Sequence, residues 1–305
     1  MHSVILQLDD ALERQPTLSL AIRDSFGQVI LARDLGPALR LWSRSATLSL
    51  LRDRVRAATS HISEPIVVFA GSGDFHHITS LLVERAVSLA DEPTTILHFD
   101  NHPDWARFAR GRHCGSWVGE AARLPGVAKI ITVGVCSEDI GRKRSAEGDL
   151  ALIDERRLDL YAWVAPDGTD CVSLNGQAWP TVAAMGEAAF IAHLAAKIRT
   201  RSVYVTIDKD VLIAADALTN WDQGQASLDF VVSAIEAVAA GRRILGADVV
   251  GDWSTPSYGD GAVSSIVKRA EALLDQPWTW SRPAAADRIN EAANLRLLNL
   301  FQGHA

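Results

Sequence analysis

Two carboxylates and an imidazole stand at every second residue of one short stretch, at Asp100, His102 and Asp104. They follow directly on the apolar run 95–97, which has the composition of a buried strand, and Pro103 stiffens the loop that carries them. Three polar groups so close together would repel and desolvate one another unless a cation lay among them. The pattern therefore predicts a metal site, with a solvated acidic turn as the plainer alternative.

Two further stretches place residues of metal-binding type directly after an apolar run. The β-branched run 202–207 ends in Asp208 and Asp210, which are again two carboxylates two residues apart. The run 65–70 leads into a glycine-rich turn, 71–77, with imidazoles at its far end. Three predicted strands thus end in groups that can bind metals.

From residue 65 onward, strand-like and helix-like segments alternate along the chain. Helices are predicted near 78–90, 117–124, 185–200 and 228–240, and strands at 65–70, 95–99, 129–135, 202–207 and 243–250. Such alternation predicts a mainly parallel sheet covered by helices on both faces. In open sheets of this kind the ligand site lies beyond the carboxyl ends of the strands, so the three loops can converge on one point.

Residues 1–60 are the least informative part of the sequence. They contain strand-like pieces at 19–22 and 28–32 and a helical pattern over 39–58 that is rich in Leu and Arg. None of these segments matches the three stretches with metal-binding residues.

Two segments outside the alternating region remain. Residues 137–180 predict a surface excursion with a small hairpin, and a functional loop is the alternative. The tail 276–305 carries Trp278 and Trp280 and a helical pattern over 284–301, which would pack on the body of the protein or on a second subunit. Because we find no convincing linker, we predict one domain that covers the whole chain, 1–305.

The three metal-binding stretches resemble the signature blocks of the ureohydrolase family, which includes arginase, agmatinase and formimidoylglutamase. Those blocks are a Gly-Gly-Asp-His turn, an Asp-Ala-His-x-Asp loop and a Ser-x-Asp-x-Asp strand end, and the resemblance covers roughly residues 65–260. It implies an arginase-like three-layer α/β/α fold. It also implies that two manganese ions are bound by His76, Asp100, His102, Asp104, Asp208 and Asp210.

The charge of this set can be checked independently of the resemblance. Four aspartates carry four negative charges and two neutral histidines carry none, which balances two divalent cations. A hydroxide held between such ions would be a nucleophile at neutral pH. Oxygen-rich ligation with some imidazole and no thiolate suits Mn²⁺ best, with Fe²⁺, Zn²⁺ or Ni²⁺ as alternatives.

Residues beside the loop that carries Asp100, His102 and Asp104 (the central loop) are candidates for proton transfer. Segment 112–117 is similar to a His-Gly-Thr-Trp segment of the family, in which the histidine shuttles protons or holds substrate. The resemblance implies catalytic roles for His113 and Asp104, with a purely structural histidine as the alternative for His113. For Cys114, a small buried residue is favoured over a nucleophile. Alternation along the strand points His98 toward the same site and predicts a supporting role.

The sequence departs from the family pattern where guanidine-cleaving members bind the guanidinium group. Those members carry a glutamate three residues after an aspartate on the next strand, whereas here Gly251 follows Asp248 at that distance. Asp252 comes one residue later and is the candidate substitute, although a shift of one residue along a strand need not restore the contact. Lys209 also replaces a usually apolar residue and is expected to be an ordinary solvated side chain.

Three other side chains near the predicted site are candidates for substrate contacts: Trp117, Trp221 and Asp222. The two tryptophans could receive a flat or cationic group by stacking or by cation–π attraction. The alternative is that they pack in the core, and that Asp222 only makes a turn.

Composition argues against several classes of protein. A chain of 305 residues, 48% of them hydrophobic, can bury a large core. Its net charge of −7 without a basic patch argues against nucleic-acid binding. The first residues lack the basic start of a secretory signal, and no stretch approaches the length that a bilayer requires. Three widely spaced cysteines argue against a disulfide framework, and together these features predict a cytoplasmic protein.

These expectations define a binuclear metal-dependent hydrolase that cleaves a C–N bond in a guanidino, formimidoyl or related amidine-like small molecule. Metal-bound hydroxide would attack the sp² carbon, and a nearby acid would protonate the departing amine. A deacetylase-like carboxamide hydrolase and a metal-binding homologue without catalysis are the alternatives. By analogy with the family, a homo-oligomer is expected.

Overall fold

The computed structural model describes residues 1–141, 145–259, 261–276 and 283–303. The strands are, in chain order, β1 (His2–Gln7), β2 (Gln28–Leu31), β3 (Trp42–Ser43), β4 (Ile66–Phe69), β5 (Thr94–Phe99), β6 (Arg112–His113), β7 (Val127–Val135), β8 (Leu158–Ala162), β9 (Cys171–Leu174), β10 (Gln177–Pro180), β11 (Ser202–Asp208) and β12 (Arg243–Val250). The helices are α1 (Pro16–Asp24), α2 (Gly36–Leu39), α3 (Ser45–Thr59), α4 (Thr79–Ser88), α5 (Trp117–Ala121), α6 (Ala151–Asp154), α7 (Val182–Met185), α8 (Glu187–Lys197), α9 (Leu228–Ala239), α10 (Ala262–Asp275) and α11 (Ala286–Gly303).

The described residues form one large sheet and two small strand pairs. The large sheet has eight strands in the order β2-β1-β4-β12-β11-β5-β7-β8, and every pairing in it is parallel. Every residue of the central strands β5 and β11 is buried, as expected for strands that are covered by helices on both faces. The prediction of a mainly parallel three-layer α/β/α fold is confirmed.

The order of the strands explains why the three metal-binding loops meet. β4, β11 and β5 lie close together at the centre of the sheet, with only β12 between β4 and β11. Their registers are level: Ile207 pairs with Phe99, and Val249 pairs with both Ile207 and Phe69. Because the strands are parallel, the loops that follow them leave from the same edge of the sheet.

The N-terminal part differs from the sequence prediction. Residues 19–22 lie in helix α1 and not in a strand, so that prediction was wrong. Pro16 begins this helix, and the spacing of its buried residues Leu18 and Ile22 is helical. The strand predicted at 28–32 is confirmed as β2, and β1, which was not predicted, pairs with it in the main sheet.

The excursion after β7 contains more structure than was predicted. It holds the expected hairpin, β9 and β10, which pair antiparallel. It also holds β8, an edge strand of the main sheet that the sequence analysis missed. The predicted C-terminal helix is confirmed as α11, whereas Trp278 and Trp280 lie outside the described residues. Among the described helices, none combines the length and the hydropathy needed to cross a lipid bilayer.

Candidate metal centre

The turn after β4 brings the first imidazole to the edge of the sheet. Residues 73–78 form a short 3₁₀ helix, and the hydroxyl of Ser72 caps it by accepting a hydrogen bond from the backbone NH of Asp74. Gly73 allows a close approach to the loop that begins at Asp208 (the last loop), because a Cβ at position 73 would lie 2.6 Å from Asp208 Oδ2. The turn can therefore pack directly against the residues that follow β11.

The hydrogen bonds of His76 indicate which ring nitrogen faces the site. The hydroxyl of Thr206 donates to Asp248 Oδ2 over 3.0 Å, so its oxygen is left to accept the proton of His76 Nε2, also 3.0 Å away. In the neutral form of the ring, Nδ1 then carries the lone pair. It lies 3.1 Å from Asp100 Oδ2 and 3.0 Å from Asp104 Oδ2, and it is buried without a hydrogen bond. A buried lone pair among carboxylates is the environment of a metal-binding imidazole.

The central loop contributes to two overlapping groups of ligand-type atoms. The atoms within each group lie within 4.8 Å of one another: His76, His98, Asp100 and Asp104 form the first group, and Asp100, His102 and Asp210 form the second. His98 Nε2 is 2.8 Å from Asp100 Oδ2, and its Nδ1 is 3.0 Å from Thr132 Oγ1. Asp100 is shared by both groups and would contribute a carboxylate oxygen to a cation held by either one.

Asp104 is held in an uncommon backbone conformation. Its φ is +46°, a region that residues other than glycine rarely occupy and that costs about 1–3 kcal/mol. The indole NH of Trp117 donates to Asp104 Oδ2 over 2.7 Å and helps to fix the carboxylate. Trp117 is itself 1% exposed and does not line the cavity described below, so it contacts Asp104 from behind.

The last loop, which follows β11, contributes Asp210 to the second group and places Asp208 beside the first. The backbone NH of Asp210 donates to Asp208 Oδ1, and Asp210 Oδ2 lies 3.0 Å from His102 Nδ1. Burial and the neighbouring carboxylate of Asp100 raise the pKa of Asp208 to about 7. Burial also holds the pKa of Asp210 well above its ordinary value. These carboxylates are unfavourable as free anions, and divalent cations among them would remove that cost.

The donor set therefore fits two divalent cations. It offers a free imidazole lone pair at His76, a shared carboxylate at Asp100 and crowded, buried carboxylates on two other loops. All six residues assigned by the family resemblance converge at this edge of the sheet: His76, Asp100, His102, Asp104, Asp208 and Asp210. His98 joins them, as the alternation along β5 predicted.

A cavity of about 1010 Å³ opens onto the metal-binding groups. Besides the six carboxylates and imidazoles of the metal centre, its wall includes His113, Cys114, Trp221 and Asp222. Residues of the excursion 137–180, from Ser137 to Leu174, form another part of the wall. The excursion is thus a structural part of the cavity and not a remote surface loop.

His113 lines the cavity and has a partner for each ring nitrogen. Its Nδ1 accepts a hydrogen bond from the backbone NH of Gly115 over 2.9 Å, so the ring proton is on Nε2, which lies 2.5 Å from Glu271 Oε1. Trp42 donates to the other oxygen of that carboxylate. Burial and the charge of Asp104 raise the pKa of the neighbouring Cys114 thiol well above its ordinary value, which argues against a nucleophilic cysteine.

The structure places Asp252 behind the metal centre and not in the cavity. Its carboxylate is 1% exposed and accepts hydrogen bonds from Lys209 Nζ at 2.6 Å, Gln15 Nε2 at 2.7 Å and Asn294 Nδ2 at 3.1 Å. Its oxygens are therefore directed away from any substrate in the cavity. The expectation of a solvated Lys209 was wrong, because this side chain is fully buried in the same network.

Gly251 lies against the last metal-binding loop. Its φ is +92°, and a Cβ at this position would come within 2.4 Å of Asp208 Oδ1. A glutamate here would collide with the loop. Any side chain at this position would therefore require the last loop to move.

Trp221 and Asp222 do reach the cavity. The Trp221 ring lies 5.6 Å from the His102 ring, and its indole NH donates to Asp74. Asp222 lies 3.1 Å from His102 Nε2 and accepts a hydrogen bond from the side chain of Asn101. Sequence reasoning did not single out Glu271 or Asn294, because both lie on helices far along the chain from the motifs and no local pattern marks them.

Comparisons with known sequences find a distant relative but no matching family model. No protein-family model matches the chain. An uncharacterized protein from Thermotoga maritima is 25% identical over 186 residues, which is 61% of this chain. The match spans 58% of the length of that relative.

Comparisons with solved structures give the fold. Arginase from Bacillus caldovelox superposes with a TM-score of 0.58 at 16% identity, covering 92% of this chain and 98% of that one. A hypothetical agmatinase from Burkholderia thailandensis gives 0.57 at 17% identity, covering 97% and 87%. Formimidoylglutamase from Bacillus subtilis gives 0.59 at 12% identity, covering 97% and 87%. The chain has the arginase fold.

Proposed function

We propose that this arginase-fold chain is a divergent ureohydrolase. It would be a binuclear metal-dependent hydrolase that cleaves a C–N bond of a guanidino, formimidoyl or related amidine-like small molecule. The observation that carries the proposal is the pair of overlapping ligand groups that share Asp100 at the carboxyl edge of the sheet. The solved structures with this fold include an arginase and a formimidoylglutamase, which supports the same reaction class.

The proposed cofactor is a pair of divalent cations, with Mn²⁺ favoured and Fe²⁺, Zn²⁺ or Ni²⁺ as alternatives. His76 and Asp104 would hold one cation, His102 and Asp210 the other, and Asp100 both. Asp208 lies beside the first group, with its Oδ2 3.6 Å from His76 Nδ1. When bound, such cations would lower the pKa of a water molecule that they coordinate. They would also polarise the bond to the carbon that is attacked.

The proposed proton donors are His113 and Asp104. His113 faces the cavity, and an imidazolium at this position would be paired with Glu271, 2.5 Å away. It would take up a proton on Nδ1 by releasing the hydrogen bond from the backbone NH of Gly115, and would return that proton to the departing amine. Asp104, whose carboxylate is fixed by Trp117, is the second candidate for that step.

The proposed substrate contacts are Trp221 and Asp222, because both line the cavity beside His102. Asp252 and Trp117 are not included, since both are buried outside the cavity wall. Without a glutamate at Gly251, a guanidinium group would lack the carboxylate partner that guanidine-cleaving members use. We therefore expect arginine and agmatine to be poor substrates and formimidoyl or other amidine-like compounds to be better ones.

A screen for turnover tests this proposal. The manganese-loaded protein would be incubated with guanidino, formimidoyl and amidine compounds, and with N-acetyl amines to cover the deacetylase alternative. Urea, ammonia, amides and acetate would be quantified, with Asp210→Asn as the control variant. We expect release from an amidine-like compound by the parent and its loss in the variant.

Two outcomes would overturn the proposed reaction. Cleavage of N-acetyl amines alone would favour a carboxamide hydrolase. Two bound metals with no turnover on any compound would favour a metal-binding protein without catalysis. A homo-oligomer and a cytoplasmic location stay predictions, which light scattering and cell fractionation would test.

A further inference from the structure

A carboxylate outside the proposed metal-binding set lies against one of its imidazoles. Asp222 Oδ1 is 3.1 Å from His102 Nε2, while His102 Nδ1 is 3.0 Å from Asp210 Oδ2. The two nitrogens of the His102 ring thus face two different carboxylates. The Nδ1 side faces the other two members of its ligand group, with Asp210 Oδ2 at 3.0 Å and Asp100 Oδ1 at 3.6 Å.

This arrangement dictates the form of the ring when a cation is bound. The Nδ1 lone pair of His102 must then point at the cation, so the ring proton is on Nε2 and is donated to Asp222. A carboxylate that accepts this proton fixes the tautomer and the orientation of the ring and makes Nδ1 a stronger donor to the metal.

Asp222 is itself held in place by a neighbour of the metal-binding residues. Its Oδ2 accepts a hydrogen bond of 3.0 Å from Asn101 Nδ2, which also lies 3.2 Å from the backbone carbonyl of Asp222. The backbone NH of Asn101 donates to Asp210 Oδ1 over 3.0 Å. Asn101, in the loop after β5, thus links Asp222 to Asp210, and these two carboxylates face the two nitrogens of the His102 ring. These contacts distinguish Asp222 from a turn residue whose side chain meets only water.

We propose that Asp222 is a positioning residue for the second cation. By holding His102, it sets the affinity of the group formed by Asp100, His102 and Asp210, and it leaves the group around His76 untouched. This inference rests on the proposed binuclear metal centre. The side chain of Asp222 is 51% exposed and lines the cavity, so truncating it creates no void in the hydrophobic core.

Metal titration tests the inference without using activity. Mn²⁺ would be titrated by calorimetry into the metal-free parent, Asp222→Ala and Asp222→Asn, with stoichiometry from elemental analysis. We expect two sites in the parent and, in Asp222→Ala, an affinity about 10–100-fold weaker at one site only. Asp222→Asn retains an acceptor for the ring proton and should show a smaller loss. The melting temperature of the metal-free protein should fall only slightly, because the hydrogen bonds that are lost belong to a half-exposed side chain.

Glu147→Ala is the matched control, because Glu147 is a carboxylate of the cavity wall outside both ligand groups. Removing it changes the charge of the cavity without touching His102, and we expect both affinities to stay within about twofold of the parent. Equal weakening in Glu147→Ala and Asp222→Ala, or no weakening in Asp222→Ala, would overturn the inference alone. A parent that binds no divalent cation would overturn it together with the proposed function.

Discussion

The ammonium group of Lys209 lies 2.6 Å from Asp252 Oδ1, and both side chains are at most 1% exposed. Lys209 stands between the two aspartates of the last metal-binding loop. The ion pair therefore holds this loop from the side that faces away from the cavity. Asn294 of α11 accepts a second hydrogen bond from the same ammonium over 2.9 Å. The pair thus connects the metal centre to the C-terminal helix.

Replacement of Lys209 should destabilise the protein strongly. Lys209→Met leaves the Asp252 carboxylate buried without its cation, which costs about 3–5 kcal/mol of unfolding free energy. Denaturant unfolding of the metal-free protein measures this. The control is Lys197→Met, which removes a pair with Asp159 whose lysine is 40% exposed, and it should cost less than about 1 kcal/mol. Equal losses in the two variants would contradict the buried pair.

Substitution of Gly251 should disturb the metal centre. The Cβ of Gly251→Ala would meet Asp208 Oδ1 at 2.4 Å, so the last loop must shift and manganese affinity should fall. Gly261→Ala is the control, because Gly261 has a similar φ of +95° but no heavy atom of the described residues lies within 4 Å of its added Cβ. Both variants carry backbone strain of about 1–3 kcal/mol, and only Gly251→Ala should lose metal. Equal metal binding by the two would refute the contact.

The cysteines should react with iodoacetamide in a defined order. Cys171 is exposed and should be modified first, and buried Cys114 should stay unmodified in the native protein. Burial raises the pKa of Cys136 to about 11, so at pH 8 about one Cys136 thiol in a thousand is ionised. Because the thiolate fraction rises tenfold per pH unit below the pKa, its modification rate should rise about tenfold from pH 8 to pH 9. Peptide mass spectrometry would measure this, and equal rates for Cys136 and Cys171 at pH 8 would contradict the structure.

Trp221 should affect substrate binding more than the chemical step. A cation–π contact is worth about 0.5–2 kcal/mol, so Trp221→Leu should raise KM for a cationic substrate by about 2–30-fold and change kcat little. Trp221→Phe keeps an aromatic face but loses the hydrogen bond to Asp74, and it separates the two contributions. If Trp221→Phe is as impaired as Trp221→Leu, the hydrogen bond and not the ring matters.

The convergence of the metal centre could be predicted from local sequence. Asp100 directly follows strand β5 and Asp208 is the last residue of strand β11, and parallel strands bring such ends together. The fold class followed from the same alternation of segments. The apolar run of strand β1 spans only residues 4–6, which is a weak strand signal, and the segment 19–22 of α1 is too short to show a helical period.

What the sequence could not show depends on contacts between distant residues. Lys209 meets Asp252 43 residues along the chain and Asn294 85 residues along it, and His113 meets Glu271 158 residues along it. A lysine in a loop is usually solvated, and only the fold shows that this one is buried against a carboxylate.

The metal content of the protein tests the central claim most directly. Parent, Asp100→Asn and Asp210→Asn would be loaded with manganese, dialysed and measured by elemental analysis. Since Asp100 belongs to both ligand groups and Asp210 to one, we predict two metals per chain in the parent, about one in Asp210→Asn and fewer than one in Asp100→Asn. A parent without bound divalent metal, or an Asp100→Asn variant that retains two, would contradict the account.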